Sequence, residues 1–454
     1  MSVFSINAAP LGASATAPPA GFMTLTVVGS GVSTGIPVIG HYGRGCACDD
    51  AVANPSGLNN RNNISMLLTL PRGDLPTLSG RQKSAPETSS AAQQAEEAEA
   101  EPQSYQCWNT SHACFTTDQA GNYIHDKPVA HILIDCGKTF RDAYFKVMIR
   151  WNIRAVDTLL LTHGHADAIA GLDDLRDLQM MHMISTGEWV VDSFIPTYLS
   201  YTTMETLQRA VDYIVRNSVE SGPAMPSPAE HAAQLSACLE ERGAKSLAAV
   251  QNGEKEGGWR NIGVRRSTAL DFFYVDDVKP KRVHLPITAT ADTGGATESE
   301  LPFYSFPVEH GRGYISMAYV FGRGTAFKSK LEDGVSPPEG SCVVYISDVS
   351  AVPRDSMLFL QDLVRIDILY VDCLGPQKRS SPVHYCADDM LALTLALRPR
   401  YVYGVGMHCD VEHHTMRTTL QQVLDGYVAT GVLKQGEVEC IDLAYDGMYI
   451  TIPQ

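Results

Sequence analysis

Residues 159–178 read LLLTHGHADAIAGLDDLRDL. Three leucines, the mark of a buried strand, run straight into His163, His165 and Asp167 within a few positions. In the turn after such a strand both imidazoles can converge on one cation, and the carboxylate can reach a neighbouring position. Neutral imidazole with carboxylate is a ligand set for Zn²⁺, with Mn²⁺ or Fe as alternatives. A plainer reading makes the two histidines caps of the following helix. The strand-end location and the aspartate favour a metal.

Size and charge narrow what can surround this stretch. The 454 residues are 44% hydrophobic, enough for a large core, and 35 Lys+Arg against 51 Asp+Glu leave a formal charge of −16. An acidic surface repels polyanions, so broad nucleic-acid binding is disfavoured. Eleven cysteines without regular spacing suit a reducing compartment better than a disulfide framework. The first 43 residues contain no Lys or Arg, so neither a secretory nor an Arg-rich transit segment is visible. No apolar run reaches the ~18 residues a membrane span needs. The expectation is a soluble, cytoplasmic protein.

Outward from 159–178, the chain reads as a disordered leader over 1–22 and then a single domain over 23–454. Strands are predicted at 23–31, 65–70, 131–137 and 157–163, with a helix at 140–151. Between about 74 and 128 the pattern collapses into a low-complexity insertion that cannot bury enough surface to offset its ordering entropy. Helical patterns follow at 169–183 and 203–216, and a second insertion spans 217–258 with a helix from Ala229 to Val250. Strands return at 271–275, 303–309, 315–322, 342–347, 367–372 and 401–407, with a helix at 387–397. Strands dominate early and alternate with helices late, which suggests an α/β fold of two packed sheets with helices outside.

Other segments join the opening stretch in a fixed order: VVGSGVSTGIPVIG (27–40), HILIDCGKTFRDA (131–143), FIPTYLS (194–200), FPVEHG (306–311), YISDVS (345–350) and AYDGM (444–448). Taken jointly with LLLTHGHADAIAGLDDLR, they resemble the metallo-β-lactamase superfamily. Within it the chain is similar to the PhnP-like branch around the phosphonate-pathway cyclic phosphodiesterase and its eukaryotic relatives. The resemblance implies a four-layer αββα sandwich. It also implies that His163, His165 and His310 form a first metal site, that Asp167 lies on a second metal and that Asp348 bridges both. His310 and Asp348 also end apolar strands in this chain, where site loops commonly gather. A cation held there lowers the pKa of water from 15.7 to about 7, giving hydroxide at neutral pH, with Asp167 or Asp348 orienting it.

The chain departs from the pattern in two places and modifies it in a third. Ala168 stands where the family has a histidine ligand. Asp173 or Asp174 can substitute, although capping the helix that follows is the simpler role. The family's last ligand histidine falls near GVGMHCDVEHH (404–414): His408 is preferred, with Cys409 and His413 as alternatives. In GCACDD (45–50) the resemblance implies remnants of a structural zinc site. Cys46 and Cys48 are present, but Ala51 replaces a third cysteine. Asp49, Asp50 or a C-terminal histidine would have to complete the site, and free buried thiols are an equal reading.

Three further residues and a turn carry open readings. His384 on the loop SPVHYC either touches substrate phosphate or is a surface histidine. Arg61 either meets phosphate or serves the fold, and Arg176 pairs with Asp173 or Asp177. The GSGVSTG turn either cradles an anion or is simply tight.

The functional expectation is a metal-dependent hydrolase of small or cyclic phosphodiesters, with one or two Zn ions (Mn or Fe as alternatives) and Asp167 and Asp348 as catalytic carboxylates. Alternatives are a tRNA-processing nuclease, disfavoured by the charge, and a metal-binding scaffold with a degenerate second site. The expected partner is a small phosphodiester, without nucleic acid or membrane, and with a homodimer left open.

Overall fold

The computed structural model describes residues 5–8, 22–71, 115–117, 123–125, 129–151, 153–179, 181–183, 189–191, 194–222, 233, 267–285, 301–332, 334–377 and 381–453. Most of both insertions and the expected helix at 229–250 lie outside these residues. So does the leader over 1–22, apart from Phe22 and the strand Ser5–Ala8.

Among the described residues the strands form two large sheets. The first runs, in spatial order, Ser5–Ala8, Met448–Pro453, Phe22–Gly29, Ser65–Pro71, Val129–Ile134, Thr158–Leu160, Ile195–Leu199, Leu270–Tyr274 and Val219–Glu220. The second runs Lys281–Arg282, Phe303–Glu309, Ile315–Phe321, Val343–Ile346, Ile368–Asp372, Tyr401–Val405 and Cys440–Leu443. Each sheet is antiparallel on the side reached first by the chain and becomes parallel where helices intervene. That change follows from connection length, since a parallel pair needs a crossover and an antiparallel pair only a turn.

Alternation along each strand decides what packs where. Leu25, Met66, Leu68, Ile132, Ile134 and Leu160 point between the sheets, meeting Met317, Tyr319, Phe321, Val343, Tyr345, Ile368, Tyr370 and Tyr403 from the opposite side. The intervening Val28, Leu67, Leu133, Leu159 and Leu161 face outward into a cluster with Phe140, Ala143, Met204 and Leu207 of helices Phe140–Lys146 and Tyr201–Ala210. The second sheet does the same with Val320, Val344, Ile346, Leu369 and Val371 against helices Arg354–Asp362, Ala387–Leu397 and His413–Ala429. Three apolar clusters thus separate four layers, the αββα arrangement expected. At about 25 cal/mol per Å² of apolar surface removed from water, such doubly covered sheets are the main stabilising feature.

The layering sets the location of chemistry. Val129–Ile134, Thr158–Leu160, Phe303–Glu309, Val343–Ile346 and Ile368–Asp372 all end, directly or within three residues, in a buried acid or histidine: Asp135, His163, His310, Asp348 and Asp372. The interiors of these strands are mostly apolar on both faces, and these five residues sit where the strands stop.

Candidate metal centre

From the first sheet, Thr158–Leu160 gives way to a turn and then to the short helix Ala166–Ile169, which starts directly after His165 and carries Asp167 in its first turn. Close approach of the 135–138 loop holds that helix in place. Cys136 N–H donates to Ala168 O at 2.7 Å, and a Cβ at position 137 would lie 1.9 Å from Asp167 O, so only glycine fits. Asp135, at φ +60, accepts both the N–H of Thr162 at 2.8 Å and its hydroxyl at 2.7 Å. The Thr162 hydroxyl, its proton committed to Asp135, accepts from His163 Nδ1 at 2.9 Å. His163 is left with a bare Nε2, the form a metal ligand requires.

From the second sheet, His310 follows Phe303–Glu309 and donates from Nδ1 to Val383 O at 2.9 Å, which also leaves Nε2 bare. Tyr314, in the same hairpin turn, stacks parallel on His165 with centroids 4.7 Å apart, and its hydroxyl accepts the N–H of Gly164 at 3.1 Å. Asp348, at φ +49, closes the strand Val343–Ile346. Asp372 ends the next strand and binds His384 Nδ1 at 2.8 Å; the same nitrogen is 3.9 Å from Asp348 Oδ1.

Ligand atoms gather in three overlapping groups, each within 4.8 Å: His163, His165 and His310; His163, Asp167 and Asp348; His310, Asp348 and His384. The donor set fits a divalent cation on an independent observation. His163 Nε2, Asp167 Oδ1 and Asp348 Oδ2 are buried, yet have no hydrogen-bond partner. Orphaned buried donors and acceptors are costly and rare, and a cation would satisfy all three at once.

Electrostatics point the same way. Burial, then the neighbouring imidazoles of His310, His165 and His384, holds His163 well below its ordinary pKa. Burial and the imidazoles of His384 and His165 bring His310 down to about 4, and burial lowers His165. These imidazoles are neutral at physiological pH and ready to ligate. Asp348 is pushed well upward by burial and by the carboxylates of Asp167, Asp372 and Asp135, a repulsion that a cation would relieve. His384 is different: burial alone would lower it, but the Asp372 carboxylate outweighs burial and raises it.

Several expectations resolve into definite positions. His163, His165, Asp167, His310 and Asp348 come together. His408, expected as the last ligand, does not join them. Gly406 turns the chain at φ +71 against Asp372, and His408 ends on the other side, 3.3 Å from Asp410 and edge-on to His41 at 6.2 Å. His413 is buried against Tyr445 instead. Ala168 packs in the helix-side apolar cluster with Ile169 and Leu172 and supplies no donor. Asp173 and Asp174 occupy the first turn of the 3-10 helix Leu172–Leu178, where Asp173 pairs with Arg176, and neither enters a ligand group.

Of the two readings of His384, the surface one fails: its side chain is only 12% exposed and lies against the site. Asp372 is the site residue sequence reading missed, although LYVD ends in an acid just as ILID and YISD do. Arg61 is buried and donates to Asn59 Oδ1, His408 O and Val411 O, a strut of the fold and no phosphate contact. In the GSGVSTG turn the N–H groups of Ser30, Gly31, Val32 and Gly35 are taken by Asp446, Asn62 O, Met407 O and Val32 O, so it is a tight turn at those positions.

Comparison with known proteins places this architecture. Residues 130–278 match the family described as a β-lactamase superfamily domain, and with the two-sheet sandwich they make the chain a metallo-β-lactamase-fold protein. Among solved structures it is similar to a diphosphatase from the PhnP family, at 19% identity and TM-score 0.50, covering 95% of this chain and 98% of that one. It is also similar to the Zn²⁺-bound PqqB from Methylobacterium extorquens, at 10% identity and TM-score 0.44 over 94% and 99% of the two chains. The human short-form tRNase Z is a further neighbour, at 10% identity and TM-score 0.41 over 95% and 100%. At these identities the likeness is one of fold. No curated protein matches the chain by sequence. No helix among the described residues is long and apolar enough to cross a membrane.

Proposed function

We propose that this chain is a metal-dependent hydrolase of small or cyclic phosphodiesters, with Zn²⁺ as the leading cation and Mn²⁺ or Fe as alternatives. The observation that carries the reading is the His384–Asp372 pair set against His310 and Asp348 in a buried nest of bare ligand atoms. His163, His165 and His310 would hold one cation; Asp167 and Asp348 would face a second position, with His384 3.9 Å from Asp348 on its far side. A cation bound there polarises a phosphoryl oxygen and lowers the pKa of water to about 7.

The chain's own groups supply the rest. Asp135, through Thr162, and the carbonyl of Val383 fix the two inner imidazoles so that their Nε2 atoms aim inward. Asp372 keeps a proton on His384, whose remaining nitrogen can donate to a phosphate oxygen or to the departing alkoxide. That protonated imidazole beside a cation nest suits a phosphoester anion, since it adds positive charge where substrate charge is negative.

The test is hydrolysis of bis-p-nitrophenyl phosphate and of a 2′,3′-cyclic nucleotide by metal-loaded protein. His163→Ala should abolish turnover and lower metal content. His384→Ala should cost about 10²–10⁴-fold on the alkoxide leaving group. It should cost much less on p-nitrophenolate, which needs no proton. Equal losses on both substrates would overturn the donor role, and full activity in His163→Ala the whole reading. A second reading, a metal-binding protein without turnover, is favoured by Ala168 and by the displacement of His408; metal uptake with no hydrolysis of any phosphodiester would establish it.

A further inference from the structure

The three imidazoles of the first ligand group are not held alike. His163 gives its Nδ1 to the Thr162 hydroxyl, and His310 gives its own to Val383 O. His165, the exposed member of the group, has no ring hydrogen bond among the described residues. A stacked ring sets its orientation instead. Tyr314 lies parallel over it, with an interplanar angle of 9° and centroids 4.7 Å apart. A metal-bearing imidazole is electron-poor, and the face of a phenol attracts it.

The sequence builds this contact from both sides. Between His310 and Tyr314, Gly311 and Gly313 take φ of +82 and +76, folding a turn that closes with His310 N–H donating to Tyr314 O at 2.8 Å. The phenol is thereby fixed to a ligand of the second sheet while it stacks on a ligand of the first. A Cβ at position 164 would lie 2.8 Å from Thr206, so the 163–165 turn is held between helix Tyr201–Ala210 and the Tyr314 hydroxyl. That hydroxyl accepts Gly164 N–H at 3.1 Å, and its own proton has no acceptor among the described residues. An O–H whose oxygen already accepts is a strengthened donor. Tyr314 is only partly buried, so a ligand can reach it. The unpartnered atoms of the nest, His163 Nε2, Asp167 Oδ1 and Asp348 Oδ2, suit a cation. A phosphoryl group above them brings oxygens that need donors, and His384 lies against His310 at the other end of the group.

We propose that Tyr314 serves the centre twice: its ring orients His165 as a ligand, and its hydroxyl donates to a non-bridging oxygen of a bound phosphoryl group. This role rests on the phosphodiester reading of the same site. The phenol makes and breaks no bond and keeps its proton throughout; it supplies a donor where the substrate is anionic.

Two variants of the full-length protein separate ring from hydroxyl. Tyr314→Leu removes both, whereas Tyr314→Phe keeps the stack and covers the case in which Tyr314→Leu does not fold. The zinc that His163→Ala removes, titrated by chelator competition, should bind Tyr314→Leu about 10–100-fold more weakly and Tyr314→Phe within about twofold of wild type. Calorimetry with inorganic phosphate on zinc-saturated protein needs no turnover, and Tyr314→Phe should weaken phosphate about 10-fold. On a 2′,3′-cyclic nucleotide, Tyr314→Phe at saturating zinc should lower kcat/KM by about 10–10²-fold. In one diastereomer of the cyclic phosphorothioate, sulfur, a weak acceptor, replaces the oxygen that the phenol meets, and that loss should shrink to about twofold. Unchanged zinc affinity in folded Tyr314→Leu, or zinc lost from Tyr314→Phe, would overturn the ring's role. Phosphate bound equally by wild type and Tyr314→Phe would overturn the hydroxyl's. A wild type that binds phosphate through Tyr314 yet hydrolyses no ester would sink the hydrolase reading and uphold this one.

Discussion

Asp372 has neighbours on three sides, and its two oxygens do different work. One accepts from His384 and from Val349 N–H; the other, buried and unpartnered, sits where a Cβ at position 406 would strike it at 2.7 Å. That contact is why His408 could not be read correctly from sequence: the turn is fixed by a glycine pressed against a carboxylate from another strand. His163, His165 and Asp167 were legible because two imidazoles and a carboxylate in five positions after an apolar strand rarely serve packing alone. Glu412 shows residue-scale energetics outside the site. Burial works to raise its pKa, but acceptance from Asn59, from the Thr415 hydroxyl and from the N–H groups of Thr415 and His414 brings it down to about 2. A carboxyl depressed in the fold contributes stability above its ordinary value of 4.5, and that stability is lost as pH falls through 2. Glu412→Gln should therefore cost about 0.5–2 kcal/mol at pH 7, as expected of a weakened helix cap. In urea titrations the gap from wild type should close as pH drops from 4.5 toward 2; a constant gap would sink the assignment.

At the scale of elements, period-two burial locates most strands to within two residues, and the helix Ala387–Leu397 matches its predicted span. The helical reading fails at 169–183. Gly171 N–H donates to Cys136 O, and a Cβ there would lie 2.3 Å from Gly137 O, so the chain is pinned to the neighbouring loop. The apolar spacing continues, but the helix breaks into Ala166–Ile169, a 3-10 turn over Leu172–Leu178 and a strand at Met181–Met183. Likewise 140–151 is an α-helix only to Lys146, with a 3-10 turn after it. Such tertiary contacts leave no local trace in sequence. The same crowding yields a prediction: Gly137→Ala must push Asp167 away, destabilising the fold by about 1–3 kcal/mol and reducing metal content at the His163 site. Wild-type denaturation midpoints with full metal occupancy would show that the approach is looser than described.

Over the whole molecule, the two sheets contribute separate halves of the candidate centre. His163, His165 and Asp167 come from the first; His310, Asp348, Asp372 and the loop with His384 come from the second. A cation held by both links metal affinity to sheet docking. Added Zn²⁺ at about 100 times its Kd should stabilise metal-free protein by about 2.7 kcal/mol, read as a rise in Tm. His163→Ala should lose the part of that rise owed to this centre; an unchanged rise would mean the metal acts elsewhere. The order of strands in the first sheet has a consequence for biosynthesis. Met448–Pro453 lies between Ser5–Ala8 and Phe22–Gly29, so strands made early wait for a partner made much later. At about 5–20 residues per second that wait is tens of seconds, during which Phe22–Gly29 presents an unpaired edge. Until Met448–Pro453 emerges, that edge is open to other strands and the first sheet stays incomplete.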